Sequence, residues 1–196
     1  MAKPLSTVAK TRCPWPGADP LYCDYHDHEW GIPLHDDTRL FEMLVLEGFQ
    51  AGLSWITILK RREHFRRAFA NWNYHKISRF GQAKISELMA DASIIRNRLK
   101  LVSAINNAQR FIEVQNEFGS FDAYIWKFTE YKTLLPAKPY TSLKQVPCST
   151  KVSDVMSKDL KKRGFNFVGT IICYSFMQAV GMVNDHLAHC SFNPGL

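Results

Sequence analysis

No stretch of this 196-residue chain approaches the roughly 18 uninterrupted apolar residues of a membrane-crossing helix, so no membrane span is expected. Cysteine is sparse and odd in number, at Cys13, Cys23, Cys148, Cys173 and Cys190. Residues 1–12 carry Lys3, Lys10 and Arg12 without a continuous apolar core. That pattern opposes both a disulfide scaffold and a secretory signal, and a cytoplasmic location is expected. Neither Cys-x-x-Cys nor His-Glu-x-x-His occurs, which weakens the case for a metal centre that performs chemistry. Internal repeats, low-complexity segments and a convincing set of strands are also missing.

What is present favours an all-α protein. Apolar residues make up 46% of the chain, ample for a core. The length suits one domain: a flexible tail over residues 1–11, then a single unit over 12–196 made of two closely packed helical lobes. Residues 1–36, rich in proline, read as tail and loop. Asp37 or Thr38 can cap the first long helix, which Gly48 and Gly52 weaken or break. Ser54 can cap a second stretch to about residue 69. Further helices are expected near 84–91, from the turn at 92–96 to about 118, after Ser120, up to Arg163 with Gly164 as its stop, and over about 171–183.

Within the first of these helices, Leu40, Leu44, Glu47 and Ala51 fall on one stripe, whereas Glu42 falls on roughly the opposite side and is expected to reach water. Glu47 is thus a carboxylate on an apolar face, with Trp55 just beyond it. An unpaired buried carboxylate is costly. It has either a structural partner, such as an Arg or a helix end, or a chemical task.

The chain carries a net charge of +7 and a pI near 9.2. Basic clusters occur at Lys60–Arg62, Arg66–Arg67, Arg96–Lys100 and Lys158–Arg163. One such cluster is ordinarily a solvated helix face; several together fit a phosphate-binding surface. Two Cys/His pairs lie at opposite ends: Cys13 with His26, and His186 with Cys190. The second pair is four residues apart, so a helical turn would place both on one face. Two thiolates and two imidazoles suit a tetrahedral zinc ion whose four protein ligands leave no open position, hence a structural site. His28 and His189 are alternative donors, and unrelated surface His and buried Cys are the plainer reading.

Trp15, Tyr22, Tyr25, Trp30 and Trp55 crowd the first 55 residues among polar neighbours such as Asp24, Asp27 and Glu29. Such rings either pack a loop onto helices or form a stacking surface. Flat rings with one carboxylate suit a nucleobase, and a cationic base best of all.

The motifs built on Tyr22, Tyr25-His26-Asp27, Glu29-Trp30-Gly31, Leu46-Glu47-Gly48, Gln50 to Trp55, Lys161 to Gly169 and Tyr174 to His186 resemble the bacterial 3-methyladenine DNA glycosylase I family over residues 12 to 192. The resemblance implies a helix-hairpin-helix DNA-repair fold whose zinc ligands are Cys13, His26, His186 and Cys190, joining the N- and C-terminal segments. It implies a lesion pocket with Glu47, Tyr25 and Trp55 at its core, shaped by Tyr22, Trp30 and Trp15. Gly52 and Leu53 would fill the gap left by a flipped nucleotide. The hairpin maps to residues 92–98, where backbone amides such as that of Ile95, together with Arg96, Arg98 and Lys100, would hold phosphate. Ser93 stands where the pattern commonly has Gly, and Phe49 where it commonly has a polar residue.

The implied activity is monofunctional hydrolysis of the N-glycosidic bond of 3-methyladenine in alkylated double-stranded DNA, without lyase activity, by a monomer. A non-catalytic lesion-binding protein and a zinc-stabilised DNA-binding module are the rival readings. A metallohydrolase is more distant.

Overall fold

The structure, a computed structural model, describes residues 10–193. The expected tail at 1–11 lies outside them except for Lys10 and Thr11. At the centre is α2 (Asp37–Gln50), with every residue from Leu40 to Phe49 buried. It packs against α3 (Trp55–Leu59), α7 (Arg98–Phe118), α8 (Phe121–Trp126) and α10 (Thr170–Ala179). The remaining helices are α1 (Pro20–His28), α4 (Arg62–Ala68), α5 (Tyr74–Ile77), α6 (Gln82–Ala90) and α9 (Lys151–Lys162). Among the described residues there is no strand, only an isolated bridge between Leu134 and Val183. The all-α expectation holds. Among the described residues no helix is long and apolar enough to cross a membrane.

Short polar side chains set the helix starts. Asn97, Ser120 and Thr150 accept hydrogen bonds from the third residue of α7, α8 and α9 respectively, satisfying amides that have no partner inside the helix. Asp36, not Asp37 or Thr38, caps α2, accepting from Arg39 N at 2.9 Å. Asp37 is occupied elsewhere: its carboxylate accepts from Phe121 N and Asp122 N at 2.9 and 2.8 Å and so caps α8 from 84 residues away.

Four further expectations are corrected. The proline-rich stretch contains α1, because Asp19 is its cap and Pro20 sits at the first helical position, where a missing N–H costs nothing. The helix expected from Ser54 to about residue 69 is two helices, broken at Lys60–Arg61, and Ser54 makes no side-chain cap bond. The last helix stops at Ala179. Just beyond it, Gly181 has φ +72°, and a methyl there would overlap the backbone of Ile32 and Pro33. His186 and Cys190 therefore lie in a loop and meet through its turns, not through a helical face.

Glu42 is the fourth. It is 2% exposed, not solvated. Its carboxylate accepts from Arg62 Nε at 2.8 Å and Arg66 Nε at 3.0 Å, and Arg62 also reaches Glu29 at 2.8 Å. Because α2 is surrounded, its polar face is satisfied by arginines from α4 rather than by water. The break before α4 allows Arg62 to enter between Glu29 and Glu42.

Candidate active site

One cavity of about 200 Å³ opens between α1, α2, α3, α10 and the loop carrying Leu143 and Val146. Trp15, Tyr22, Tyr25, Trp30, Glu47 and Trp55, all expected from the sequence, line it together. Gln50, Leu143, Val146, Ser175, Gln178 and Asp185 complete the wall. These six were not read from the sequence. Ser175 and Gln178 did carry a signal: they lie three apart on one helix, within a stretch already singled out. Leu143 and Val146 carried none, since only the path of the loop brings them there.

The rings make a rigid surround. Tyr25 and Trp55 face one another with centroids 5.4 Å apart and planes inclined by 50°. Trp15 meets Tyr22 at 4.8 Å and Trp30 at 5.1 Å, edge to face. Such arrangements are favoured by the ring quadrupoles. Tyr25 and Trp55 are buried; Trp15, Tyr22 and Trp30 are half-buried.

Glu47 is 4% exposed, and its Oε2 has no hydrogen-bond partner. Burial alone raises its pKa from 4.5 to about 8. This differs from Glu42, five residues earlier on the same helix, whose charge two arginines match. Burial followed by the nearby Glu47 carboxyl pushes the Tyr25 hydroxyl well above its ordinary value, and Tyr22 is raised by the same causes. Asp185 accepts from Tyr174 Oη at 2.7 Å and Gln178 Nε2 at 2.8 Å, both at Oδ2. None of the lining residues is Lys, Arg or His. A cavity with aromatic walls, two acids and no base favours a flat, cationic or amino-bearing ligand.

Beside this cavity, Cys13, His26, His186 and Cys190 are all buried, with one donor atom of each within 4.8 Å of the others. Cys13 Sγ and Cys190 Sγ lie 3.8 and 3.3 Å from His186 Nδ1, and Cys190 Sγ lies 3.6 Å from His26 Nε2. The other ring nitrogens are oriented: His26 Nδ1 by Asp27 at 2.8 Å and His186 Nε2 by the Trp30 carbonyl at 3.2 Å. Burial lowers both imidazoles, His186 to about 4, which keeps them neutral. Burial also pushes the Cys13 thiol up to about 12. Two thiolates this close in a buried site need a cation between them, and neutral imidazoles held by second partners are the ligand form. The cluster can therefore hold a metal ion. His28 is exposed and bonds Asp24 instead. The same cluster braces the cavity: Trp30 stacks edge-on to His186 at 4.6 Å and Trp15 to His26 at 5.2 Å.

The remaining candidates lie apart from the cavity wall. Leu53 is 41% exposed in the turn that Gly52 allows with φ +79°. Ile95 is half-buried against the core, while Arg96, between α6 and α7, and Arg98, the first residue of α7, are exposed; Arg98 donates to Gln82 Oε1 at 2.9 Å. Lys100 is not beside them on the surface. It is buried, and its ammonium donates to the carbonyls of Phe49 at 2.8 Å and Ala51 at 2.6 Å, closing the C-terminus of α2. Phe49 packs on Phe65, with centroids 4.7 Å apart, and is not part of the cavity wall.

Residues 15–193 match the family model described as methyladenine glycosylase. The chain is 47% identical over 184 residues to DNA-3-methyladenine glycosylase 1 of Escherichia coli, covering 94% of this chain and 97% of that protein. It superimposes with a TM-score of 0.91 on a solved 3-methyladenine DNA glycosylase I, at 45% identity, covering 94% of this chain and all of the other. The Staphylococcus aureus 3-methyladenine DNA glycosylase I, solved to show how it recognises 3-methyladenine, gives a TM-score of 0.90 at 35% identity, covering 95% and 98% of the two chains.

Proposed function

The chain belongs to the methyladenine glycosylase family, and from that premise we propose that it removes 3-methyladenine from alkylated double-stranded DNA by hydrolysing the N-glycosidic bond. The observation that carries this is Glu47: a bare, buried carboxyl facing an aromatic cavity of the size of one base.

A base inside a duplex is out of reach, so the damaged nucleotide is extruded and its base enters the cavity. Methylation at N3 makes the attached adenine cationic. Tyr25 and Trp55 form the aromatic wall against which it lies, with Trp15, Tyr22 and Trp30 shaping the surround. Glu47 accepts a hydrogen bond from the amino group, and its negative charge is repaid by the cation. The cationic base is already a good leaving group, so the protein supplies little acid catalysis. Water attacks the sugar carbon as the carbon–nitrogen bond breaks, the water's proton passes to solvent, and the electron pair of the broken bond neutralises the departing base. Free base and an abasic site result, with no covalent intermediate to the protein.

For the surrounding surface, Leu53 on its exposed turn fills the space vacated by the nucleotide. Arg96, Arg98 and the backbone around Ile95, in a helix-hairpin-helix arrangement formed by α6 and α7, hold phosphate without reading sequence. The metal is zinc, bound by Cys13, His26, His186 and Cys190. Bound there it supplies no chemistry to the reaction; it ties the N-terminal segment to the C-terminal loop and so steadies Trp15 and Trp30. Residues 12–196 act as one monomeric unit.

The test is chromatography of free bases released from methylated duplex DNA, with a no-enzyme control for spontaneous loss. Enzyme-dependent release of 3-methyladenine is expected. Tight binding of alkylated DNA by folded protein without release would select the non-catalytic lesion binder instead.

A further inference from the structure

Glu47 accounts for one part of the cavity wall; another part belongs to α10 and the loop after it, and its polar groups have a fixed order. Gln178 lines the cavity and donates through Nε2 to Asp185 Oδ2 at 2.8 Å, the same oxygen that accepts from Tyr174 Oη at 2.7 Å. A reversed amide would set its oxygen against that carboxylate, acceptor against acceptor, so the direction is determined. Among the described residues no protein donor engages Gln178 Oε1. With the nitrogen held by Asp185, the oxygen is what the side chain has left to offer to a ligand.

We propose that Gln178 determines specificity: its amide oxygen, oriented by Asp185, accepts a hydrogen from the exocyclic amino group of an adenine-type base and turns away a base carrying oxygen at that position. The amino group has two hydrogens, of which Glu47 can take one and Gln178 the other. Guanine presents a carbonyl oxygen where adenine presents the amino group. Opposed to Gln178 Oε1 it gains no hydrogen bond and leaves two buried acceptors facing each other, the situation that gives polar sites their discrimination. The inference deepens the proposed glycosylase function and rests on it.

The experiment measures 3-methyladenine and 3-methylguanine released from the same methylated duplex DNA by wild type, Gln178→Met and Asp185→Leu, with circular dichroism melting to establish folding. Quenching of tryptophan fluorescence by free 3-methyladenine is measured in parallel. Gln178→Met keeps the length and removes the acceptor; the ratio of adenine to guanine product should fall by about tenfold, through slower adenine release. Asp185→Leu removes the acceptor that holds the Gln178 nitrogen at near-constant volume, which frees the amide to turn over and present its nitrogen, so the ratio should fall there too. An unchanged ratio in either folded variant overturns the proposal. If wild type binds free 3-methyladenine but releases no base, the glycosylase reading fails, and Gln178 is judged by binding. Weaker quenching with Gln178→Met then supports its role, and unchanged quenching overturns it. If wild type neither releases nor binds the base, both fall.

Discussion

Two glutamates five residues apart on α2 show how differently one buried carboxyl can be used. Glu42 is matched by Arg62 and Arg66, whereas Glu47 has no cation and a pKa near 8. Because the folded value lies above the ordinary 4.5, the stability tied to protonated Glu47 is full below about pH 4.5 and is lost as pH rises to about 8. Glu47→Gln removes that loss. Relative to wild type, the variant should gain stability steadily between these pH values, on the order of a few kcal/mol in total, and the gain should level off above them. Thermal melts across pH read this directly. Activity should move the opposite way. The value of kcat/KM for base release reports the free enzyme, so wild type should show an ascending limb with its midpoint near pH 8. In kcat the limb should move to lower pH, since the bound cation favours the carboxylate. Glu47→Gln should lose the limb and most of the activity; wild-type rates in that variant would remove Glu47 from its assigned role.

At the scale of elements, Lys100 joins two parts that the sequence suggested separately. It stands in the first turn of α7, just after the turn that carries Arg96, and its ammonium closes the last carbonyls of α2, just before Gly52 and Leu53. Burial lowers its pKa, and the two short bonds hold the ammonium in place. Lys100→Met keeps the aliphatic stem but leaves those carbonyls without their donor. A destabilisation of about 1–3 kcal/mol is expected, or about 2–4 °C in Tm per kcal/mol. Base release should fall more than DNA affinity, because the turn bearing Leu53 loosens while Arg96 and Arg98 remain. A larger loss of affinity than of release would return Lys100 to the phosphate surface. The helices themselves were legible where local chemistry governs them: Ser120 and Gly164 mark real ends. Pro20 misled because a proline at a first helical position looks like a breaker unless Asp19 is read as its cap.

For the whole molecule, the Cys/His cluster connects residues 173 positions apart and borders the cavity through Trp15 and Trp30. Purified protein should contain about one zinc ion per chain by elemental analysis, as four donors in one cluster require. Stripping it with a chelator, or Cys190→Ser, should lower Tm sharply, since metal binding of this kind is folding energy. Base release should decline in step with the folded fraction. Loss of release in protein that still melts cooperatively at the wild-type temperature would contradict a purely structural metal.

The sequence alone determined the residue chemistry: the aromatic cluster before residue 56, the carboxylate on an apolar stripe, two Cys/His pairs, several basic runs and the cap at Ser120. Each depends on neighbours within a few positions, where periodicity is informative. Tertiary packing decided the rest. It placed arginines from α4 beside Glu42 and left Glu47 without any, though the helical pattern alone made Glu42 the solvent-facing one. It brought Leu143, Val146 and Asp185 to the cavity, turned Lys100 inward and kept Phe49 in the core. Those outcomes depend on which distant surface each side chain meets once α2 is enclosed, and no local repeat encodes the partner across such a contact.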